Sequence, residues 1–144
     1  MEDFMSDDVR DFEEFMRRRE DAAGAYVRGD AAPLGQLVAR SSDASFFSPR
    51  GDYVTGADAV RARYDQDAAA FESGSDNRFE ILDMGASGDI AYWVGLQRAH
   101  ARLRGQPEPV PFNLRITEVF RREGGEWKLV HRHADPLQTE DQAS

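Results

Sequence analysis

The chain has 144 residues, enough for one domain to bury most of its apolar surface around a single core. It contains no cysteine, which excludes disulfides, thiolate metal sites and cysteine nucleophiles. Eighteen basic residues against 27 acidic ones leave a net charge of -9, which repels nucleic-acid phosphates and anionic membranes, and no apolar run approaches the ~18 residues that span a bilayer. The opening "MEDFMSDDVRDFEEFM" is acidic and lacks a basic segment followed by an apolar one, so a cytoplasmic protein with neither nucleic acid nor membrane as partner is expected. The basic clusters "RRR" at 17–19 and "RR" at 121–122 read as solvated faces.

Ser6 can cap a first helix, with Asp7 and Asp8 suited to its dipole, and apolar residues recur at helical spacing from Val9 and Phe12 through Phe15, Met16, Ala23, Tyr26 and Val27. Gly29 is placed to end it. Asp30 then caps a short helix through "APLGQLVA", where Pro33 falls in the first turn and its missing N–H costs nothing. "DASFFSPRGDYVTG" reads as two short extended pieces around a Pro-x-Gly turn. Thr55 and Asp58 resemble a capping box opening a third helix, whose face carries Val60, Tyr64, Ala68 and Phe71 and which "ESGSDN" ends.

From residue 77 the period becomes two, through "RFEILDM", "DIAYWVGLQRAHARL", "PFNLRITEVFRRE" and "EWKLVHRHAD", separated by Gly- and Pro-rich turns. Helices followed by a meander predict an α+β domain with the helices packed on one face of a curved antiparallel sheet. One domain is expected over 1–144, ordered from about 6 to 136, with a polar tail at 137–144.

The succession "VRGD", "GADAVRARY", "GDIAYWVG" and "LRITEVFRREGGEWKLVHRHAD" resembles the nuclear transport factor 2-like superfamily and, within it, the SnoaL-like group, the ketosteroid isomerase-like fold, over nearly the whole chain. The resemblance implies a cone: a bent sheet wrapped around N-terminal helices, an apolar pocket open at one end, and a homodimer formed through the sheet's outer face. Steroid isomerases of this superfamily carry a catalytic aspartate just before the proline of the first strand's turn, a place taken here by Ser48 before Pro49. Their oxyanion-binding tyrosine would fall near Asp21 and Ala22, where no phenol occurs. The Asp-Arg-Asp arrangement of the related epoxide hydrolases is not evident, Arg115 and Asp135 leaving room for a partial version only, and in chemistry the chain best resembles the dehydratases, whose pocket histidines and aspartate move protons.

On the last strand, alternation puts Trp127, Leu129, His131, His133 and Asp135 on one side and Lys128, Val130, Arg132 and Ala134 on the other. The first set starts larger and more apolar and is expected to look inward. Pairing Arg121 with Trp127 sets Thr117 opposite His131, Arg115 opposite His133 and Asn113 opposite Asp135; a one-residue slip would substitute Glu118, Ile116 and Leu114. In the first register the pocket end holds His131 and His133 as general acid or base, Asp135 orienting them and Arg115 or Asn113 stabilising an oxyanion. Thr117, Trp93, Tyr64, Phe47, Tyr53 and Phe15 complete the expected ligand-binding set, with Phe12, Tyr26 and Phe71 as further walls.

The expected activity is binding of a small, largely apolar, oxygen-bearing molecule, with lyase, isomerase or cyclase chemistry open and no cofactor. His-x-His presents two imidazoles to one side, but a third ligand would have to be Asp135 or His100 with Arg115 adding positive charge, so no metal is expected. Two alternatives stay open. The His and Arg side chains can simply satisfy each other as buried polar groups. The domain can also be a non-catalytic homodimeric or sensing module, which apolar outward positions such as Ile116 and Phe120 would favour.

Overall fold

The computed structural model describes residues 6–41 and 43–139, so residues 140–144 of the expected tail lie outside the described residues. Helix α1 spans Asp7–Tyr26, α2 Ala32–Leu37 and α3 Ala57–Ala68; the strands are β1 Ser45–Phe47, β2 Tyr53–Thr55, β3 Phe71–Ser87, β4 Ile90–Leu103, β5 Val110–Pro111, β6 Leu114–Glu123 and β7 Glu126–Pro136. They form one curved sheet in the order β2-β1-β7-β6-β4-β3, with β5 pairing β4. The sheet is mixed, because the short β1 runs parallel to β7 while the remaining pairs are antiparallel. Helices segregated from a long-stranded sheet are the α+β arrangement that the patterning predicts.

The helix ends follow local chemistry. Ser6 accepts a hydrogen bond from the Val9 N–H; the N-cap of α2 is Ala31 rather than the expected Asp30, which stands one residue earlier and accepts from Ala32 N–H, with Pro33 in the first turn. α3 departs from expectation: its N-cap is Gly56, without a side-chain cap, so Thr55 closes β2 instead of opening the helix. "ESGSDN" is likewise strand, because β3 begins at Phe71 and pairs with the far end of β4 through an irregularity between Glu72 and Asp76.

At Gly95, β4 lies close against the β3 backbone. A Cβ there would overlap the Glu80 carbonyl oxygen, beside the bulge between Ile81 and Asp83. Gly95→Ala is therefore expected to cost about 1–3 kcal/mol by overpacking, read as a lowered urea midpoint with an unchanged slope.

The β6–β7 hairpin decides which side chains face the core. Gly124 and Gly125, both at positive φ, make a two-residue turn between Glu123 and Glu126 that sets Arg122, rather than Arg121, opposite Trp127. Four residues on, Val119 pairs with His131 while Phe120 pairs with Leu129, which leaves Val130 as an extra residue. One bulged residue inverts the alternation: Trp127 and Leu129 point inward, and so do Arg132 and Ala134 beyond the bulge. The expected pairs are thus replaced by Val119 with His131, Thr117 with His133 and Arg115 with Asp135.

On β6 the inward residues are Leu114, Ile116, Glu118 and Phe120, so Ile116 and Phe120, expected outward, are core. One end of that core is solid with rings: Phe12 lies 5.1 Å from Phe120 and 5.7 Å from Trp127, and Phe15 lies 5.4 Å from Phe120. The other end is hollow.

Candidate functional site

The hollow lies between α1, α2, α3 and the inner face of the sheet, a cavity of about 380 Å³, a size suited to a small organic molecule. Its walls are mainly apolar, from Ala23, Tyr26 and Val27 of the α1 end, Leu34 of α2, Phe46 of β1, Tyr64 of α3, and Phe71, Phe112 and Leu114 from the strands and their links. Tyr64 packs 4.8 Å from Phe46 and 6.2 Å from Tyr26, and Tyr26 packs 5.8 Å from Phe71. Burial pushes the hydroxyls of Tyr26 and Tyr64 above their ordinary range, so both keep their protons.

The floor carries buried charge. Glu118 is wholly buried and its two oxygens are saturated by donors. Arg19 reaches them through Nε at 2.9 Å and Nη2 at 2.6 Å, Trp93 donates Nε1 at 2.8 Å, and Arg132 donates Nη1 at 2.6 Å. Arg132 Nη2 donates to Gln97 Oε1 at 2.7 Å, and Gln97 Nε2 donates to Asn77 Oδ1 at 2.7 Å. Burial alone would push the Glu118 carboxyl up, but the charges of Arg19 and Arg132 outweigh it and hold the group down at about 2.

Arg19, Arg132 and Gln97 line the cavity, and two of the floor's polar atoms are unspent. Arg19 Nη1 and Tyr64 Oη are buried without a hydrogen-bond partner among the described residues.

The mouth is built on the β1–β2 turn. Ser48 Oγ donates to an Asp52 oxygen and accepts from the Arg50 N–H at 3.1 Å. Arg63 bridges Asp52 and Asp67, with Nη1 3.0 Å from Asp52 Oδ2 and Nε 2.9 Å from both Asp67 oxygens. Ser48, Arg50 and Asp67 border the cavity there.

The histidine constellation lies on the opposite side of the sheet. Past the bulge at Val130, His131, His133 and Asp135 face outward with Arg115 and Thr117. The inward orientation expected of all five is therefore corrected. They do come together: Arg115 clasps Asp135 at 2.6 and 2.9 Å, His133 Nε2 is 3.6 Å from Asp135 Oδ2, and His131 Nδ1 is 2.7 Å from Ser45 Oγ. Phe47 packs edge-on to both imidazoles, 4.9 and 5.5 Å away. Burial, then the neighbouring His133, holds His131 below the usual imidazole range.

Phe47 and Tyr53 are also exposed on this outer side and border a second, more open depression with His133 and Asp135. Phe12 and Phe15 sit in the solid end of the core, and Trp93 stands behind the floor, on Glu118. Asn113 spends its side-chain oxygen on the Ala99 N–H at 3.1 Å, a structural bond at the β5–β6 link. Only Tyr64 of the expected ligand-binding set borders the cavity. Among the described residues no group of three or more His, Asp or Glu is placed to hold a metal ion.

Arg19, Glu118, Arg132 and Gln97 do not figure in the expected site, and the "RRR" cluster reads as solvated although Arg19 is 1% exposed. The signal was present. Arg19 falls three, four and seven residues after Met16, Phe15 and Phe12, on the apolar stripe, and Glu118 alternates with Leu114, Ile116 and Phe120.

The SnoaL-like domain profile matches residues 18–137. No curated protein matches the chain significantly in sequence. Among solved structures, a nuclear transport factor 2-like superfamily protein from Salmonella enterica is 18% identical, with 94% of this chain and 95% of that chain covered at a TM-score of 0.73. A protein of the same family from Streptomyces avermitilis, provisionally assigned as a dehydratase, is 23% identical over 90% of this chain and 98% of that one, with a TM-score of 0.71. A protein with a cystatin-like fold from Caulobacter vibrioides is 11% identical over 92% of each chain, with a TM-score of 0.69. At these identities the likeness is one of fold. No described helix is long and apolar enough to cross a membrane.

Proposed function

The chain belongs to the SnoaL-like domain family, and from that premise we propose that its inner cavity binds a small, largely apolar molecule carrying at least one oxygen, met by Arg19 and Tyr64. The single observation that carries this reading is the pair of unspent polar atoms, Arg19 Nη1 and Tyr64 Oη, on side chains that border a mainly apolar hollow. A buried donor without a partner costs about 1–3 kcal/mol, and a ligand oxygen that accepts from it recovers that cost. The walls supply the remaining affinity by excluding water from the ligand's apolar surface.

Proton transfer by His131 or His133 is not part of this reading, because both rings lie across the sheet from the hollow. Any lyase or isomerase chemistry in the cavity would use the guanidinium and the phenol as oxyanion donors.

Thermal shift against a panel of aromatic ketones and polyketide-like compounds tests the proposal, since a ligand bound only by the native state raises its melting temperature. At least one compound is expected to stabilise the protein, His131→Ala and His133→Ala are expected to respond as the parent does, and Leu34→Trp, which fills the hollow, is expected not to respond. Absence of a shift with every compound, and with an aromatic carboxylate such as 2-naphthoate, would refute it.

The outer face favours a second, compatible reading: self-association. Val94, Thr117, His133, Phe47 and Tyr53 follow one another across β4, β6, β7, β1 and β2, and Val94, Phe47 and Tyr53 are exposed. Arg115 beside Asp135 gives this surface both signs of charge, so it can complement itself across a two-fold axis. A homodimer is expected by analytical ultracentrifugation, with Val94→Glu shifting it to monomer; a monomeric parent at high micromolar concentration would dismiss it.

A further inference from the structure

The charges around the cavity do not cancel, and the imbalance says what kind of oxygen it suits. On the floor, the guanidiniums of Arg19 and Arg132 face one carboxylate, Glu118. At the mouth, Arg63 and Arg50 stand against Asp52 and Asp67, with Arg50 3.8 Å from Asp67. Four guanidiniums thus meet three carboxylates, and the unmatched positive charge lies at the buried end, where screening by water and salt is weakest.

Hydrogen bonding points the same way. All four donors that reach Glu118 leave its oxygens saturated, and the Gln97 oxygen is taken by Arg132. Arg19 Nη1 is left without a hydrogen-bond partner among the described residues. Tyr64 keeps its proton because burial raises its hydroxyl above the ordinary range, so it too can donate. Two donors, one of them charged, thus belong to side chains that border a hollow whose walls are mainly apolar.

We propose that the molecule held in the cavity is a monoanion, a mainly apolar carboxylate or enolate whose charged oxygen sits against Arg19 Nη1 and Tyr64 Oη. The proposal rests on the cavity being a binding site and adds the charge class of its occupant. An anion completes the pairing of the second guanidinium and converts a buried charge imbalance into charge-assisted hydrogen bonds. A neutral ketone would satisfy the donors but leave the excess charge unmatched.

Calorimetric titration with 2-naphthoate and with its neutral methyl ester separates the two levels of the proposal. The carboxylate is expected to bind about ten-fold or more tightly than the ester. Arg19→Met should bring that ratio near one, and Tyr64→Phe, which keeps the ring and its packing, should reduce it severalfold. An ester that binds as well as the carboxylate would overturn the monoanion while leaving the binding reading in place. If neither compound binds, and no neutral compound of the thermal-shift panel does, both readings fall. Undiminished preference for the carboxylate in both variants would overturn the assignment to Arg19 and Tyr64.

Discussion

Glu118→Ala is expected to destabilise the protein by about 3–5 kcal/mol, because it strands the buried guanidiniums of Arg19 and Arg132 without their shared carboxylate. For a domain with a total stability of about 5–15 kcal/mol this is a loss large enough to leave the variant partly unfolded. Acid should reproduce the effect. The Glu118 carboxyl titrates at about 2 in the fold against 4.5 ordinarily, so its contribution is complete above pH 4.5 and is lost as the pH falls toward 2. The combined replacement of Arg19, Glu118 and Arg132 by methionine gives a contrasting outcome: stability equal to the parent or up to about 4 kcal/mol greater, since buried ion pairs seldom outweigh their desolvation. That variant should bind no carboxylate. Urea titration of the two variants beside the parent checks the pair. A stable Glu118→Ala protein would mean that the guanidiniums do not depend on Glu118.

Phe12→Ala, at the opposite end of the domain, is expected to cost about 3–5 kcal/mol with ligand binding retained in whatever fraction stays folded. Phe12 is wholly buried and its ring meets those of Phe15, Phe120 and Trp127, so truncation leaves a void that rigid neighbours fill poorly. A cost below about 1 kcal/mol would show that this end is as loosely packed as the hollow one. The two ends divide the work. Rings that fill the closed end supply stability, while Tyr26, Phe46, Tyr64 and Phe71 line space at the other end.

The order of elements was legible because periodicity reports directly on which face is buried. The stripe from Phe12 to Val27, the Ser6 cap and the period-two runs after residue 77 each correspond to an element. The orientation of β7 was not legible, for a local reason. Alternation carries no information about where an extra residue will be inserted, and the bulge at Val130 sends every later side chain to the other face. Unbroken alternation puts the histidines, Asp135 and their β6 neighbours in a pocket. The true floor was hidden by an opposite habit: charged residues are taken as solvated, whereas Arg19 and Glu118 interrupt apolar stripes and bury each other. Charge at a core position, with its complement at a core position elsewhere, was the pattern to look for.

The most direct test is the position of a heavy-atom ligand. Crystals soaked with 6-bromo-2-naphthoate should show bromine anomalous signal within the hollow, between the rings of Tyr26, Phe46 and Phe71, and the carboxylate within hydrogen-bond distance of Arg19 Nη1. Bromine found instead beside His133, Tyr53 and Phe47 on the outer face, with the hollow unoccupied, would contradict the account.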